Sequence, residues 1–317
     1  MKAVVIYHAG GPQVLKLVNL PKPKLKAGWS RIKVKGFGIN HSEIFTRQGL
    51  SPTVHFPRVL GIEAVGVIDA TTSSAHPIGQ KVVTLMGGMG RAFNGGYAEY
   101  TLVPNQQIYP VHVNYSWADL AAIPETFYTA FGIFRSLQIK PNDKILVRPV
   151  TSGVGVSFLK LVKALPFKTT VVGTTRSHNK TSQLSKLGLN RVLVTSNPNY
   201  LNTDMSFNEI VDLIGPTATQ DSLKHLKPFG IISSTGQLGG KWTLDHFDPI
   251  FNIPNNRYLT GFYSGKVTNQ QVQKMFHYLR SRHVDVSPEK IYPMDKIQQA
   301  HEYLESGRSL GKVVVLP

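Results

Sequence analysis

Cysteine is absent from the 317-residue chain, and so is any long apolar run. The first absence excludes disulfides, thiol nucleophiles and every zinc or iron–sulfur centre built on thiolates. The second argues against a membrane-spanning helix, which needs about 18 or more consecutive apolar residues. The opening residues, MKAVVIYHAGG, lack a small-residue cleavage pattern. We therefore interpret them as a first strand and expect a cytoplasmic protein without a membrane segment.

Acidic residues are scarce, since 18 Asp and Glu face 35 Lys and Arg and leave a net charge of +17. A basic surface suits nucleic acid or another acidic partner. Here the excess is spread along the chain, with 12 basic against 5 acidic residues in 1–124, 15 against 8 in 125–265, and 8 against 5 in 266–317. This even spread argues against nucleic-acid binding as the main role and leaves an anionic small ligand possible.

The length of the chain suits two domains. Roughly the first 120 residues alternate short β-forming runs with Gly- and Pro-rich turns, which predicts a compact β domain. From Asp143 onward, apolar strands alternate with helical patterns, which predicts a doubly wound α/β domain around a parallel sheet. The C-terminal segment ends in the β-forming run KVVVLP. We predict boundaries of 1–122, 123–264 and 265–317, with the last segment returning to the first domain.

A glycine-containing turn follows the first predicted strand of the α/β region, in the run VRPVTSGVGVSFLKLVKAL. The candidate cofactor-binding residues here are Ser152, Gly153, Val154 and Gly155. Phosphates must approach backbone N–H groups at a helix N-terminus, where a Cβ would block them. The pattern is shorter than G-x-G-x-x-G, and a simple packing turn is the alternative.

The end of the second predicted strand reads VGTTRSHNK, without the acid that holds the ribose hydroxyls in NAD enzymes. Thr174, Arg176, Ser177 and Lys180 stand there instead. A 2′-phosphate favours a planar guanidinium fork, a hydroxyl and a nearby ammonium. We therefore predict NADPH as the cofactor, with a solvated basic loop as the alternative.

Several further runs carry a family resemblance in the right order along nearly the whole chain. They are GINHSEIFTRQG, PRVLGIEAVGVI, GGYAEYTLVP, AAIPETFYTAF and SGVGVSFLKLVKA. Together they resemble the medium-chain dehydrogenase/reductase superfamily, and within it the zinc-independent quinone oxidoreductase branch. The resemblance implies a GroES-like catalytic domain, a Rossmann-type NADPH-binding domain and a homodimer. The edge strand of the cofactor domain, in the run RYLTGFY, is the expected dimer contact.

The resemblance also locates where zinc-dependent relatives carry their metal ligands. Those positions fall on Asn40, Ile62 and, approximately, Glu125. An amide and an aliphatic side chain cannot replace thiolate and imidazole in a tetrahedral site. His41 and Glu43 lie close in sequence but do not make up a ligand set, so we predict no bound metal.

Without a Lewis acid, alcohol oxidation is poorly served, whereas hydride addition to a quinone or enone needs only orientation and a hydrogen bond to the developing oxyanion. Asn40 is the candidate donor, and the alternative is that it satisfies backbone groups in a turn. The resemblance places Thr129 and Phe262 near the cofactor, with ordinary packing as the alternative. Phe45 stands where quinone reductases commonly carry a tyrosine. An enoyl-thioester reductase and an NADPH-binding regulatory or RNA-binding module remain the competing functions.

Overall fold

The computed structural model describes residues 1–317 and divides into two compact units. Unit 1 contains 1–128, 264–277 and 286–317, and unit 2 contains 129–263 and 278–285. Of the four boundaries between the units, those at 128/129 and 277/278 fall within helices, and those at 263/264 and 285/286 fall in loops. A helix carries no sequence signal at the point where it passes from one unit to the other.

The strands follow one another along the chain as β1 (Lys2–Ile6), β2 (Lys16–Asn19), β3 (Trp29–Ile39), β4 (Arg58–Val59), β5 (Glu63–Thr71), β6 (Lys81–Leu85), β7 (Tyr100–Pro104), β8 (Tyr109–Pro110), β9 (Lys144–Arg148), β10 (Thr170–Thr175), β11 (Arg191–Val194), β12 (Phe207–Asp212), β13 (Leu226–Ser234), β14 (Tyr258–Thr260), β15 (Lys290–Pro293) and β16 (Val313–Leu316). The helices are α1 (His41–Arg47), α2 (Trp117–Ala121), α3 (Pro124–Ser136), α4 (Gly153–Lys163), α5 (Thr181–Lys186), α6 (Pro216–Lys224), α7 (Pro249–Asn252), α8 (Asn269–Ser281) and α9 (Ile297–Glu305). None of these helices has the length and apolar content that crossing a bilayer requires.

Unit 1 is built on antiparallel β structure. One sheet has the strand order β2-β1-β4, and a seven-stranded sheet has the order β15-β16-β3-β5-β6-β8, with β7 paired to β3. The strands alternate buried and more exposed residues along β3 and β7, as expected for sheets with one face against a core. This β-rich unit confirms the fold predicted for the first part of the chain.

Unit 2 is a parallel six-stranded sheet in the order β11-β10-β9-β12-β13-β14. Counted from β9, this is the order 3-2-1-4-5-6 of a dinucleotide-binding fold, whose strand order reverses between β9 and β12. Strands β9 and β12 are buried along almost their whole length, as expected for a parallel sheet whose two faces are both covered by helices. The predicted Rossmann-type architecture is confirmed.

The C-terminal strand β16 pairs antiparallel with β3, opposing Val313 to Ile39. This register brings the residue before the strand, Lys312, next to the residue after β3, Asn40. Two positions separated by 272 residues in sequence therefore share one end of the sheet.

The run SWADLAAIPETFYTAFGIFRSL has helical apolar spacing throughout, but it forms two helices in the structure, α2 and α3. Ser116 caps α2, its Oγ accepting a hydrogen bond from the Asp119 N–H at 3.1 Å. Pro124 occupies the first position of α3, where its missing N–H costs nothing. The same proline could not have donated within a continuous helix, which explains the break.

Candidate functional site

Asn40 lies between β3 and α1, at the position that would cap the helix, but its side chain makes no capping bond. Its Nδ2 donates instead to Glu63 Oε1 at 2.9 Å and to Glu43 Oε1 at 3.3 Å. Its Oδ1 accepts from Lys312 Nζ at 2.6 Å. The alternative interpretation was that Asn40 satisfies backbone groups of its turn. In the structure its amide bonds instead to the side chains of other residues.

Glu63 is the central acceptor of this cluster and is fully buried. Its Oε1 also accepts from Lys312 Nζ at 2.6 Å, forming an ion pair whose lysine is 5% exposed at its side chain. Its Oε2 accepts from the Glu125 backbone N–H at the start of α3, at 2.8 Å. Both oxygens are satisfied, which is the condition for a buried carboxylate to be tolerated.

Glu43 is the second buried carboxyl group of the cluster. Its Oε1 accepts from the Ile62 backbone N–H at 3.1 Å, while its Oε2 is buried without a hydrogen-bond partner. Burial, and then the negative charge of Glu63, raise the pKa of Glu43 to about 7. The raised pKa brings the titration of Glu43 close to neutral pH, while the Glu63 carboxylate forms the ion pair with Lys312.

The positions where zinc-dependent relatives hold their metal offer no ligand set in this chain. Asn40 and Glu63 bond to each other, Ile62 is aliphatic, and Glu125 contributes its backbone N–H to the cluster. Burial lowers the pKa of His41 to about 4. No group of three or more His, Cys, Asp or Glu residues among the 317 is arranged to hold a metal ion.

Sequence reasoning did not single out Lys312 as a site residue. Its only local signal is a lysine entering the closing apolar run GKVVVLP. The contact with Asn40 arises from the pairing of β16 with β3, and no periodicity or motif near either residue reveals that pairing.

In unit 2, the turn after β9 leads directly into α4. Ser152 caps the helix, its Oγ accepting from the Gly155 N–H at 3.0 Å. A Cβ on Gly155 would lie 2.6 Å from the Pro149 carbonyl oxygen, so this glycine is required for packing of the turn. Gly153 and Val154 form the first turn of α4 and are partly exposed. This packing role was the alternative interpretation of the glycine pattern, and it does not conflict with phosphate approach at the helix start.

The loop after β10 places the predicted ribose-side residues in different surroundings. Thr174 is buried within the strand, and its carbonyl oxygen accepts from the Val150 N–H at 3.1 Å. Arg176 is exposed, and Ser177 is partly exposed with its N–H on Thr175 Oγ1 at 3.1 Å. Lys180 is only 8% exposed and already takes part in an interaction within the protein. Arg176 is thus the cation of this loop that is open to a ligand.

Phe262 and Thr129 both belong to unit 2. A Cβ on Gly132 would lie 2.3 Å from the Phe262 ring, so the ring packs closely on helix α3 at that glycine. The Phe262 N–H donates to Thr235 Oγ1 at 3.2 Å, and Thr129 is 6% exposed in α3. Both residues therefore have packing roles, and their placement near a cofactor stays a prediction.

Comparison with known proteins adds independent findings. Residues 26–113 match the family described as "Alcohol dehydrogenase GroES-like domain", and residues 187–315 match "Zinc-binding dehydrogenase". The quinone oxidoreductase of Pongo abelii is 26% identical over 332 residues, which cover 100% of this chain and 98% of that protein. Quinone oxidoreductase 1 of Escherichia coli (strain K12) is 25% identical, covering 99% of each chain.

The chain belongs to the medium-chain dehydrogenase/reductase superfamily. The first match lies within unit 1, the second covers residues of both units, and the curated relatives align over almost their whole length. The yhdH oxidoreductase from Salmonella enterica, solved in complex with NADP, shares the fold with a TM-score of 0.86 at 20% identity, over 100% of both chains. Membership in this oxidoreductase superfamily confirms the resemblance seen in the sequence.

Proposed function

We propose that this dehydrogenase/reductase is an NADPH-dependent enzyme that adds a hydride to a quinone or an activated alkene such as an enone, without zinc. The observation that carries the proposal is the Asn40–Glu63–Lys312 cluster, in which an amide stands at one ligand position of zinc-dependent relatives and bonds to a carboxylate and an ammonium that neutralise each other. Quinones and enones are conjugated acceptors, so their reduction requires less polarisation than an alcohol or a simple ketone.

NADPH, when bound, supplies the hydride. The chain offers the N-terminus of α4 with its Ser152 cap to the pyrophosphate and the exposed guanidinium of Arg176 to a 2′-phosphate. Gly153 and Val154 in the first turn of α4 are partly exposed, whereas the Gly155 N–H is bonded to Ser152 Oγ. These features fit the cofactor, and the absence of an acid after β10 removes the group that would repel a phosphate.

In this mechanism Asn40 holds the acceptor oxygen. The 3.3 Å contact from Nδ2 to Glu43 is the longest bond of its amide, and we propose that the acceptor oxygen replaces it. Lys312 bonded to Asn40 Oδ1 polarises the amide and strengthens its N–H donors. The hydride adds to the electron-poor carbon, the oxygen gains negative charge at the amide, and water supplies the proton that completes the reduction.

The test is oxidation of NADPH with quinones, enones and enoyl-thioesters measured side by side. Turnover of quinones or enones supports the proposal, and a preference for enoyl-thioesters moves the enzyme to that alternative class. No turnover with any acceptor, together with tight NADPH binding, favours the regulatory or RNA-binding module.

Asn40→Ala tests the role of the amide. A donor that strengthens only as charge develops lowers kcat more than the affinity for NADPH, and we expect a loss of about tenfold to a hundredfold in kcat. Glu43→Gln is the matched control, because it keeps an oxygen facing Ile62 and leaves the amide of Asn40 in place. An unchanged kcat in Asn40→Ala would assign Asn40 to the structural cluster alone.

We also propose a homodimer formed through strand β14, which pairs only with β13 and ends the sheet of unit 2. Tyr258 on this strand is 53% exposed, and the nearby helix α7 carries Ile250 and Phe251 at more than 80% exposure. Light scattering should show a dimer that Phe251→Glu weakens, whereas a monomeric wild type would reject this interface. Cytoplasmic location stays a prediction.

A further inference from the structure

The loop between β6 and β7 carries a cation whose environment the reduction mechanism does not use. Residues 86–90 of this loop have positive φ at Met86, Gly87, Gly88 and Gly90. The chain then turns at Arg91, whose N–H donates to the Gly88 carbonyl oxygen at 3.1 Å. This compact turn therefore fixes the position of the Arg91 backbone, from which the side chain extends.

The same loop is fastened to the backbone that precedes Glu63. The Met86 N–H donates to the Ile62 carbonyl oxygen at 2.7 Å, and the Gly96 N–H donates to the Gly61 carbonyl oxygen at 3.1 Å. A Cβ on Gly90 would lie 2.8 Å from the Gly61 carbonyl oxygen, so the approach is close at the turn as well. Arg91 is therefore held beside the backbone that leads into Glu63, whose carboxylate bonds to Asn40.

The guanidinium of Arg91 reaches helix α1, where its Nη2 donates to Ser42 Oγ. Ser42 lies two residues after Asn40. No carboxylate lies within ion-pair distance of Arg91, and its Nε is buried without a hydrogen-bond partner. A partly buried arginine with a serine as its one side-chain partner has unused donors next to the Asn40 turn.

Three other arginines of the protein form ion pairs with acidic side chains of the same chain. Arg31 pairs with Asp69, Arg47 with Glu305, and Arg148 with Asp221. In these pairs an acid of the chain neutralises the guanidinium, which offsets the cost of removing the charge from water. Arg91 lacks such an acid, so its charge is available to an anion brought by a ligand.

We propose that Arg91, positioned by Ser42, recognises an anionic group on the acceptor and makes carboxylate-bearing enones preferred substrates. The proposal rests on the reductase function proposed above and names a substrate class for it. A guanidinium fork binds a carboxylate or phosphate through charge-assisted hydrogen bonds. The contact is made equally in the ground state and in the transition state, so its effect falls on KM rather than on kcat.

The experiment compares a charged and a neutral acceptor of the same skeleton, 4-oxopent-2-enoate and its methyl ester, in the wild type and in Arg91→Ala. We expect the wild type to favour the carboxylate, and we expect Arg91→Ala to lower kcat/KM for it by about tenfold to a hundredfold while leaving the ester unchanged. Ser42→Ala should give a smaller loss of the same kind. A phosphate source is distinguished by crotonyl-coenzyme A and its uncharged N-acetylcysteamine analogue: a loss confined to the coenzyme A ester would overturn the carboxylate assignment.

Arg58→Ala is the matched control, because Arg58 is a partly buried arginine of the same unit that also lacks an acidic partner. Equal losses in the Arg58 and Arg91 variants would mean that general positive charge sets the preference and would overturn the proposal. So would equal kcat/KM of the wild type for the acid and the ester. If no acceptor is reduced, the proposed reductase function is wrong, and the anion site is then tested by calorimetric binding of 4-oxopentanoate. Binding to the wild type that is lost in Arg91→Ala supports the site. Equal binding to both proteins, or no binding to the wild type, overturns it.

Discussion

The two units differ in how the polar groups of their candidate sites are surrounded. At the Asn40 turn of unit 1, the amide, the carboxylate of Glu63 and the ammonium of Lys312 saturate one another in a buried cluster. At the end of β10 in unit 2, Arg176 stands exposed. We propose that the fixed cluster holds a donor in place for the acceptor oxygen, whereas an open cation suits a ligand that brings its own negative charge.

The difference follows from burial. Charges removed from water must be paired within the chain, because an uncompensated buried charge costs several kcal/mol. An exposed guanidinium stays hydrated and can exchange water for phosphate at little cost. Substitutions in the buried cluster should therefore change the free energy of unfolding, and a substitution of the exposed arginine should change cofactor binding.

Lys312→Met should have the largest effect on stability. It leaves Glu63 buried with an unbalanced charge, which costs about 3–5 kcal/mol of unfolding free energy. Denaturant unfolding at neutral pH measures it, and Lys24→Met, at an exposed lysine of the same unit, is the control. The double variant Lys312→Met with Glu63→Gln should recover part of the loss. A single variant as stable as the control would show that the ion pair does not stabilise the fold.

Glu43→Gln should change how stability depends on pH. The folded-state pKa of Glu43 is raised to about 7 from an ordinary 4.5, so the folded protein holds this proton more tightly than the unfolded chain does. The wild type therefore loses stability relative to Glu43→Gln as pH rises from 4.5 through 7, by up to about 3 kcal/mol. The pKa values of His41 and His301 are lowered, so these histidines act in the opposite direction in both proteins and largely cancel in the difference.

Unfolding free energies of the two proteins at pH 5 and at pH 8 provide the measurement. A difference between the proteins that is the same at both pH values would mean that Glu43 is ionised throughout this range. In that case Lys312 would balance both carboxylates of the cluster.

Arg176→Ala should weaken NADPH binding by about tenfold to a hundredfold, because a charge-assisted hydrogen bond contributes roughly 1.5–3 kcal/mol. NADH, which has no 2′-phosphate, should be nearly unaffected. Titration with both cofactors measures the ratio, with Arg191→Ala at an exposed arginine of β11 as the control. Equal losses for the two cofactors would place Arg176 at the pyrophosphate or in the fold rather than at the ribose.

The sequence by itself determined the fold class and the family. The strand–helix alternation after Asp143 predicts the parallel sheet, and the ordered runs along the chain indicate the superfamily. These signals are local, because side-chain periodicity and turn residues depend on a few neighbouring positions and can be recognised in the sequence alone. The absence of thiolate and imidazole ligands can also be recognised in the sequence alone, since it depends only on the residue types at positions 40 and 62.

Only the tertiary structure decided what surrounds those positions. The antiparallel pairing of β16 with β3 brings Lys312 to Asn40, and the approach of β5 brings Glu63 between them. The same folding leaves Arg91 beside Ser42 without an acid and buries Lys180 while exposing Arg176. Burial and long-range pairing set the charge state and availability of each group, and both depend on contacts that no neighbouring residue in the sequence specifies.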